Sequence, residues 1–209
     1  MPRLSLEAER QRLYDLSAYE REYAALAPLA GIDEAGRGPL AGPVVAAAVI
    51  LNPHSEILYI NDSKKLSESR REALYAEIQE KALAIGVGMV SPACIDEINI
   101  LQATYEAMRQ AVAQLGLKPE CLLVDAVTIP ALDIRQVPII KGDAKSISIG
   151  AASIIAKVTR DRIMLQADEN YPAYGFAKHK GYGTAAHIAA LKELGPCPLH
   201  RSTFIKNLI

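Results

Sequence analysis

The chain has 209 residues, half of them hydrophobic and 22% charged, enough to bury the core of one soluble domain. A formal net charge of −1 argues against a protein that coats nucleic acid through overall basicity, although local basic faces leave phosphate binding open. No apolar run reaches the ~20 residues of a membrane span and no basic-then-apolar leader opens the chain. The three widely spaced cysteines, Cys94, Cys121 and Cys197, read as reduced thiols of a cytoplasmic protein, and a monomer is the default expectation because no oligomer interface is signalled.

In the first segment, Leu13, Leu16, Tyr19, Tyr23 and Leu26 recur three and four residues apart among charges. That spacing predicts an amphipathic helix over 5–26, within an N-terminal extension of residues 1–27 laid against a domain spanning 28–209. An apolar segment then runs into Gly31-Ile32-Asp33-Glu34-Ala35-Gly36-Arg37-Gly38-Pro39-Leu40-Ala41-Gly42-Pro43, and Val44 to Leu51 resumes an almost unbroken apolar run. This reads as a strand, a tight glycine-rich loop and a second strand. Asp33 and Glu34 close the first strand, and Arg37 stands between Gly36 and Gly38 at the tip. Neighbouring strand side chains point to opposite faces, so only one of the two carboxylates faces a given site directly. Turn glycines and surface acids are ordinary by themselves. Two anions, a cation and bare glycine backbone crowded together suit a phosphate backbone and a metal.

Lys64 and Lys65 lie in the loop Asn61-Asp62-Ser63-Lys64-Lys65, as solvated groups or as ligand contacts, and Ser67 caps a helix over 68–84. Ile85 to Val90 predicts a strand weakened by Gly86 and Gly88. A helix near 92–98 follows Ser91-Pro92, with Asp96 and Glu97 favoured in its first turn by the helix dipole, and Asn99 to Leu115 continues helical. Cys121 to Asp125 is a short buried strand closing on a carboxylate, the end at which α/β sheets place their ligands. Val137 to Ile140 is another strand, followed by Asp143, which suits a helix N-cap or a ligand equally. A helix over 147–169 turns Ile149, Ala152, Ile155, Ala156, Thr159 and Ile163 inward, with Lys157, Arg160 and Arg162 on its solvated face. Tyr171 to Tyr182 is irregular and aromatic; Tyr182, beside lysines, suits stacking on a sugar or base or a half-buried anchor. A last helix spans 184–194, and Phe204 plugs the core.

Asp33, Glu34, Asp125 and Asp143 thus stand at or near the ends of apolar strands, and a shared sheet would gather them in one cleft. Clustered carboxylates repel one another unless a cation neutralises them. Oxygen donors without His or Cys select Mg²⁺ or Mn²⁺ over zinc, and two such ions ~3.5–4 Å apart serve phosphodiester hydrolysis. Another carboxylate-dependent nuclease, such as a junction resolvase or exonuclease, has the same logic. A non-catalytic hybrid-binding module would not need four acids that repel its ligand.

The stretch from Gly31 to Val45 resembles the N-terminal motif of bacterial ribonuclease HII, the type 2 ribonuclease H family. Asn61 to Ser67, Lys141-Gly142-Asp143, Ala151 to Asp161 and His179-Lys180-Gly181-Tyr182 match in the same order, so the resemblance covers about residues 28–204. It implies an α/β, RNase H-like fold: a central mixed five-stranded sheet flanked by helices, with a helical C-terminal part. It implies cleavage of the RNA strand of RNA–DNA hybrids and nicking 5′ of ribonucleotides embedded in duplex DNA, with Mg²⁺ or Mn²⁺. The family's metal-site acids map to Asp33, Glu34, Asp125 and Asp143. Its recognition loop maps to Gly36, Arg37 and Gly38, with Lys64 as a further substrate contact, and its junction-sensing tyrosine maps to Tyr182. One departure is Ala126, where many members carry glycine after the third acid; at this level it is a small change.

Overall fold

The computed structural model describes residues 5–209. Where one helix was expected over 5–26, two stand: α1 (Leu6–Leu16) and α2 (Ala18–Glu22). The break falls at Ser17, whose hydroxyl donates to the Leu13 carbonyl at 2.8 Å, a local bond that competes with the backbone ladder. Leu13 and Leu16 are buried against the domain, and Tyr19 and Tyr23 pack at its edge.

Five strands make one sheet: β1 (Leu29–Ala35), β2 (Val44–Leu51), β3 (Ala82–Val90), β4 (Cys121–Asp125) and β5 (Arg135–Ile139). Their order is β3-β2-β1-β4-β5. β2 runs antiparallel to both β1 and β3, whereas β1, β4 and β5 run parallel. The sheet is therefore mixed and five-stranded, as expected. Helices α3 (Glu68–Lys81), α4 (Pro92–Ile98), α5 (Ile100–Ala113) and α6 (Ile147–Asn170) flank it. Short helices α7 (Phe176–His179), α8 (Ala185–Leu194) and α9 (Ser202–Ile205) close the C-terminal part.

Alternation along the strands builds two cores. Val44, Ala46, Ala48 and Ile50 pack with Ala103, Ala107 and Ala111 of α5 on one face. Ala47 and Val49 pack with Ile154 and Ile155 of α6, and with Leu74 and Ile78 of α3, on the other. Both faces of β2 are covered, which is why its sequence reads as one apolar run. β3 begins at Ala82, before the expected Ile85. Its glycines serve packing: a Cβ on Gly86 or Gly88 would lie 1.9 Å from the carbonyl oxygen of Ala111 or Ala107. Phe204 packs partly buried against the first core, as expected.

Three expectations need correction. Arg160, assigned to the solvated face of α6, is 1% exposed. It donates to the carbonyls of Pro43, Ala41 and Lys180, each at 3.0 Å. Lys157 is also largely covered and bonds Asp161, whereas Arg162 is exposed and pairs with Glu72. Asp96 lies beyond the first turn of α4, and its carboxylate accepts from the backbone N–H groups of Ser202 and Thr203, tying down α9. Ser146, not Asp143, caps α6.

Helix α6 crosses β1 at Gly31, where an added Cβ would sit 2.1 Å from the Ser148 carbonyl carbon. Backbone cannot yield as a flexible side chain can, so the helix itself would have to move. Gly31→Ala is expected to lower stability by about 1–3 kcal/mol, read as an earlier urea midpoint. An unchanged midpoint would show that α6 has slack there.

Candidate active site

Strands β1 and β4 run parallel, and their last paired rung joins Ile32 to Val124. The next residue on each strand is an acid, Asp33 and Asp125. Equivalent positions on adjacent parallel strands present their side chains to the same face, so the register alone sets two carboxylates side by side. Asp33 is only 5% exposed, and Glu34 stands at the strand end with its side chain 14% exposed. Asp125 accepts the Gly142 N–H at 2.7 Å. This bond holds the turn carrying Asp143 against the end of β4.

The electrostatics describe a row of like charges. Burial, then Glu34 and Asp125, push the Asp33 carboxyl well above the usual range, against the nearby Ser153 hydroxyl. Burial also raises Glu34; Arg37, 3.4 Å from its carboxylate, opposes the shift and Asp125 adds to it. Burial, Asp62 and Asp125 raise Asp143. Asp62 is therefore an acid of this site that the sequence did not single out. Lys64 is the cation among them: burial works against its charge, but Asp33, Asp143, Asp62 and Asp125 outweigh it and raise its pKa.

Among the described residues, no three acid, His or Cys side chains already stand as an ion cage. The donor set nevertheless fits a hard divalent cation. It is all carboxylate oxygen, partly buried, and its members push one another towards protonation for want of positive charge.

Beside the acids opens a cleft of about 230 Å³, bordered by Glu34, Gly36, Arg37, Gly38, Lys64 and Tyr182. The loop residues, Lys64 and Tyr182 are thus brought to one place. Gly36 has φ +94°, and a Cβ there would strike Arg160 Nε at 2.1 Å. The loop is held from behind by a second buried arginine: Arg201 donates to the carbonyls of Gly36 at 2.6 Å, Arg37 at 2.9 Å and Gly42 at 2.8 Å. Burial, with Arg160 nearby, pushes Arg201 down to about 9, so it stays cationic at neutral pH. At Gly38 the situation differs, since a Cβ would meet just Tyr182 Cε1, at 3.9 Å. Protein packing does not demand glycine there; an approaching ligand would. Tyr182 is 45% exposed at the cleft edge.

Sequence reasoning missed Arg160, Arg201, Ser153 and Asp62. The signal for Arg160 is its spacing seven residues after Ser153 on one stripe of α6; Arg201 carried none. Ala126 also acquires meaning, for its φ of 55° is left-handed. A glycine would be relaxed in that conformation.

A family model described as Ribonuclease HII matches residues 30–207. The ribonuclease HII of Lachnoclostridium phytofermentans is 66% identical over 203 residues, covering 97% of this chain and 80% of that protein. Among solved structures, the Archaeoglobus fulgidus RNase HII, in its complex with PCNA, superposes with a TM-score of 0.73 at 32% identity, over 86% of this chain and 96% of that one. The ribonuclease H2 of Pyrococcus horikoshii gives a TM-score of 0.72 at 30% identity with the same coverage. With likeness of this depth along nearly its whole length, the chain belongs to the ribonuclease HII family, metal-dependent endoribonucleases of the ribonuclease H type.

Proposed function

We propose that this endonuclease cuts the RNA strand of RNA–DNA hybrids and nicks 5′ of single ribonucleotides within duplex DNA, leaving 3′-hydroxyl and 5′-phosphate ends. The observation that carries the reading is the register of β1 on β4, which puts Asp33 and Asp125 side by side just past the last paired rung, beside a cleft whose loop glycine, Gly38, leaves its backbone bare. Asp33, Glu34, Asp125 and Asp143 would hold Mg²⁺ or Mn²⁺. When bound, the ions supply an activated water and stabilise the leaving oxygen.

The chain's own groups do the rest. The Gly36–Gly38 backbone, held by Arg201, presents its polar groups to the 2′-hydroxyl and the flanking phosphate; a 2′-hydroxyl is what separates RNA from DNA at one site. Arg37, exposed at the loop tip, and Lys64 offer positive charge to the phosphate backbone. The Tyr182 ring lies under the ribose whose 3′ phosphate is cut, excluding water on that side. No described helix is long and apolar enough to cross a membrane, and the partners are nucleic acid: an RNA–DNA hybrid, or a duplex containing a ribonucleotide.

Three outcomes test the reading. Asp125→Asn keeps an oxygen to accept the Gly142 N–H but halves the anionic character of the rung. Mg²⁺-dependent cutting of a duplex with one ribonucleotide should fall about 10²–10³-fold or more while duplex binding persists; unchanged cutting rejects the ligand role. Tyr182→Ala should slow cutting at an isolated ribonucleotide more than in a long hybrid, and equal losses would count against ribose sensing. Asp33→Asn removes a buried charge that its neighbours disfavour. In chelator, it should melt later than the parent chain, by about 2–4 °C for each ~1 kcal/mol gained; earlier melting would mean that Asp33 is not under repulsion.

A further inference from the structure

Behind the cleft lies a cluster of imidazoles that the proposed reaction does not use. His187 and His200 are both fully or nearly buried, at 0% and 5% exposure, and their Nε2 atoms lie 3.0 Å apart. His179 stacks on His187 with 4.3 Å between ring centres.

The partners of these rings favour one arrangement of the protons. A carbonyl oxygen accepts only, so His187 Nδ1, 2.9 Å from the Tyr182 carbonyl, carries a hydrogen. His200 Nδ1 lies 3.0 Å from the Cys197 N–H, which can only donate, with the Cys197 Sγ at 3.2 Å and the Cys197 carbonyl oxygen farther, at 3.3 Å; the shorter contact assigns it as the bare nitrogen. With both rings neutral, His200 Nε2–H therefore donates to a bare His187 Nε2. The proton chain runs one way: Cys197 N–H to His200, His200 to His187, His187 to the Tyr182 carbonyl. His179 is fixed likewise, its Nδ1 accepting the Gly181 N–H at 3.2 Å and its Nε2 facing the Tyr174 carbonyl at 2.9 Å. Burial, then a neighbouring imidazole, lowers each of the pair: burial and His179 lower His187 from its ordinary value, and burial and His187 bring His200 down to about 4.

The two ends of this chain are attached to the two halves of the cleft. His200 pairs through its backbone with Ala41 of the glycine loop, and the next residue, Arg201, holds the Gly36 and Arg37 carbonyls. His187 holds the backbone of Tyr182, whose ring faces Gly38. We propose that His187 and His200 are positioning residues that set the separation between the Tyr182 ring and the Gly36–Gly38 loop, and through it how strictly cleavage requires a single ribose flanked by DNA. The inference rests on the ribose-sensing role given to Tyr182 above.

A structural role alone would not specify tautomers or substrate choice, so both are measured. In the full chain at pH 7, ¹⁵N resonances should report Nδ1–H for His187 and Nε2–H for His200; a charged or Nδ1–H His200 overturns the proposal. The second readout is the ratio of cutting rates on a single-ribonucleotide duplex and on a long hybrid. His200→Ala should lower that ratio about fivefold to tenfold, the scale of one neutral hydrogen bond. His200→Gln, which places an amide N–H near the lost Nε2–H, should restore most of it. In a Tyr182→Ala background, His200→Ala should lower the ratio no further, because the pair acts through Tyr182. If Tyr182→Ala lowers the ratio and His200→Ala does not, positioning fails while ribose sensing stands; if Tyr182→Ala leaves it unchanged, both fall. Should His200→Ala not fold, His200→Gln and the parent tautomers decide the matter: a ratio that drops with His200→Gln as far as with Tyr182→Ala overturns it.

Discussion

Two guanidinium groups buried behind a glycine loop, with main-chain carbonyls as their hydrogen-bond partners, are what the working end of this molecule depends on. Arg160 reaches Pro43, Ala41 and Lys180; Arg201 reaches Gly36, Arg37 and Gly42. A loop with several glycines has little side-chain packing to hold it, and Gly36 needs a left-handed backbone. Its conformation is therefore set from outside, by fork-shaped donors that span more than one carbonyl at once. Lysine would not serve, since a single ammonium cannot keep that fixed geometry. Breaking the arrangement would leave buried carbonyls without partners, which is destabilising even before function is considered.

The acids present the opposite condition. Sheet register sets Asp33 next to Asp125, and the Asp125–Gly142 bond brings the turn with Asp143 alongside. Folding thus collects carboxylates that raise one another's pKa, which is a cost borne by the metal-free chain. Lys64 offsets part of it from an exposed loop.

How much of this was readable from the sequence follows from the range of each interaction. Strands and helices whose faces repeat with period 2 or 3.6 were legible: β4 and the start of α6 fell where expected. Asp33, Glu34 and Arg37 drew notice by local crowding, and Asp125 and Asp143 by standing just past apolar strands. The break at Ser17 was not, because a single side-chain bond decided it. Arg160 was misread because charge on a helix normally means solvent, and two of its three carbonyl partners lie more than a hundred residues earlier. Arg201 offered no local pattern at all. Ala126 looked minor until its backbone angle showed that glycine at that position answers a conformational need.

Set side by side, the two halves of the site have complementary deficits. The acid row lacks positive charge; the glycine loop, backed by two buried cations and tipped by Arg37, lacks negative charge. They satisfy each other only in part: Arg37 reaches Glu34 at 3.4 Å, while Arg160 and Arg201 are committed to carbonyls. A phosphodiester accompanied by divalent cations supplies both signs in the required order, anion towards the loop and cation towards the acids. A nucleic-acid strand alone would be repelled by the acids, and a metal alone would leave the loop empty. On the function proposed above, joint binding would be favoured over either one by itself, and affinity for substrate and affinity for metal would be coupled by the same charges that make the unliganded site unfavourable.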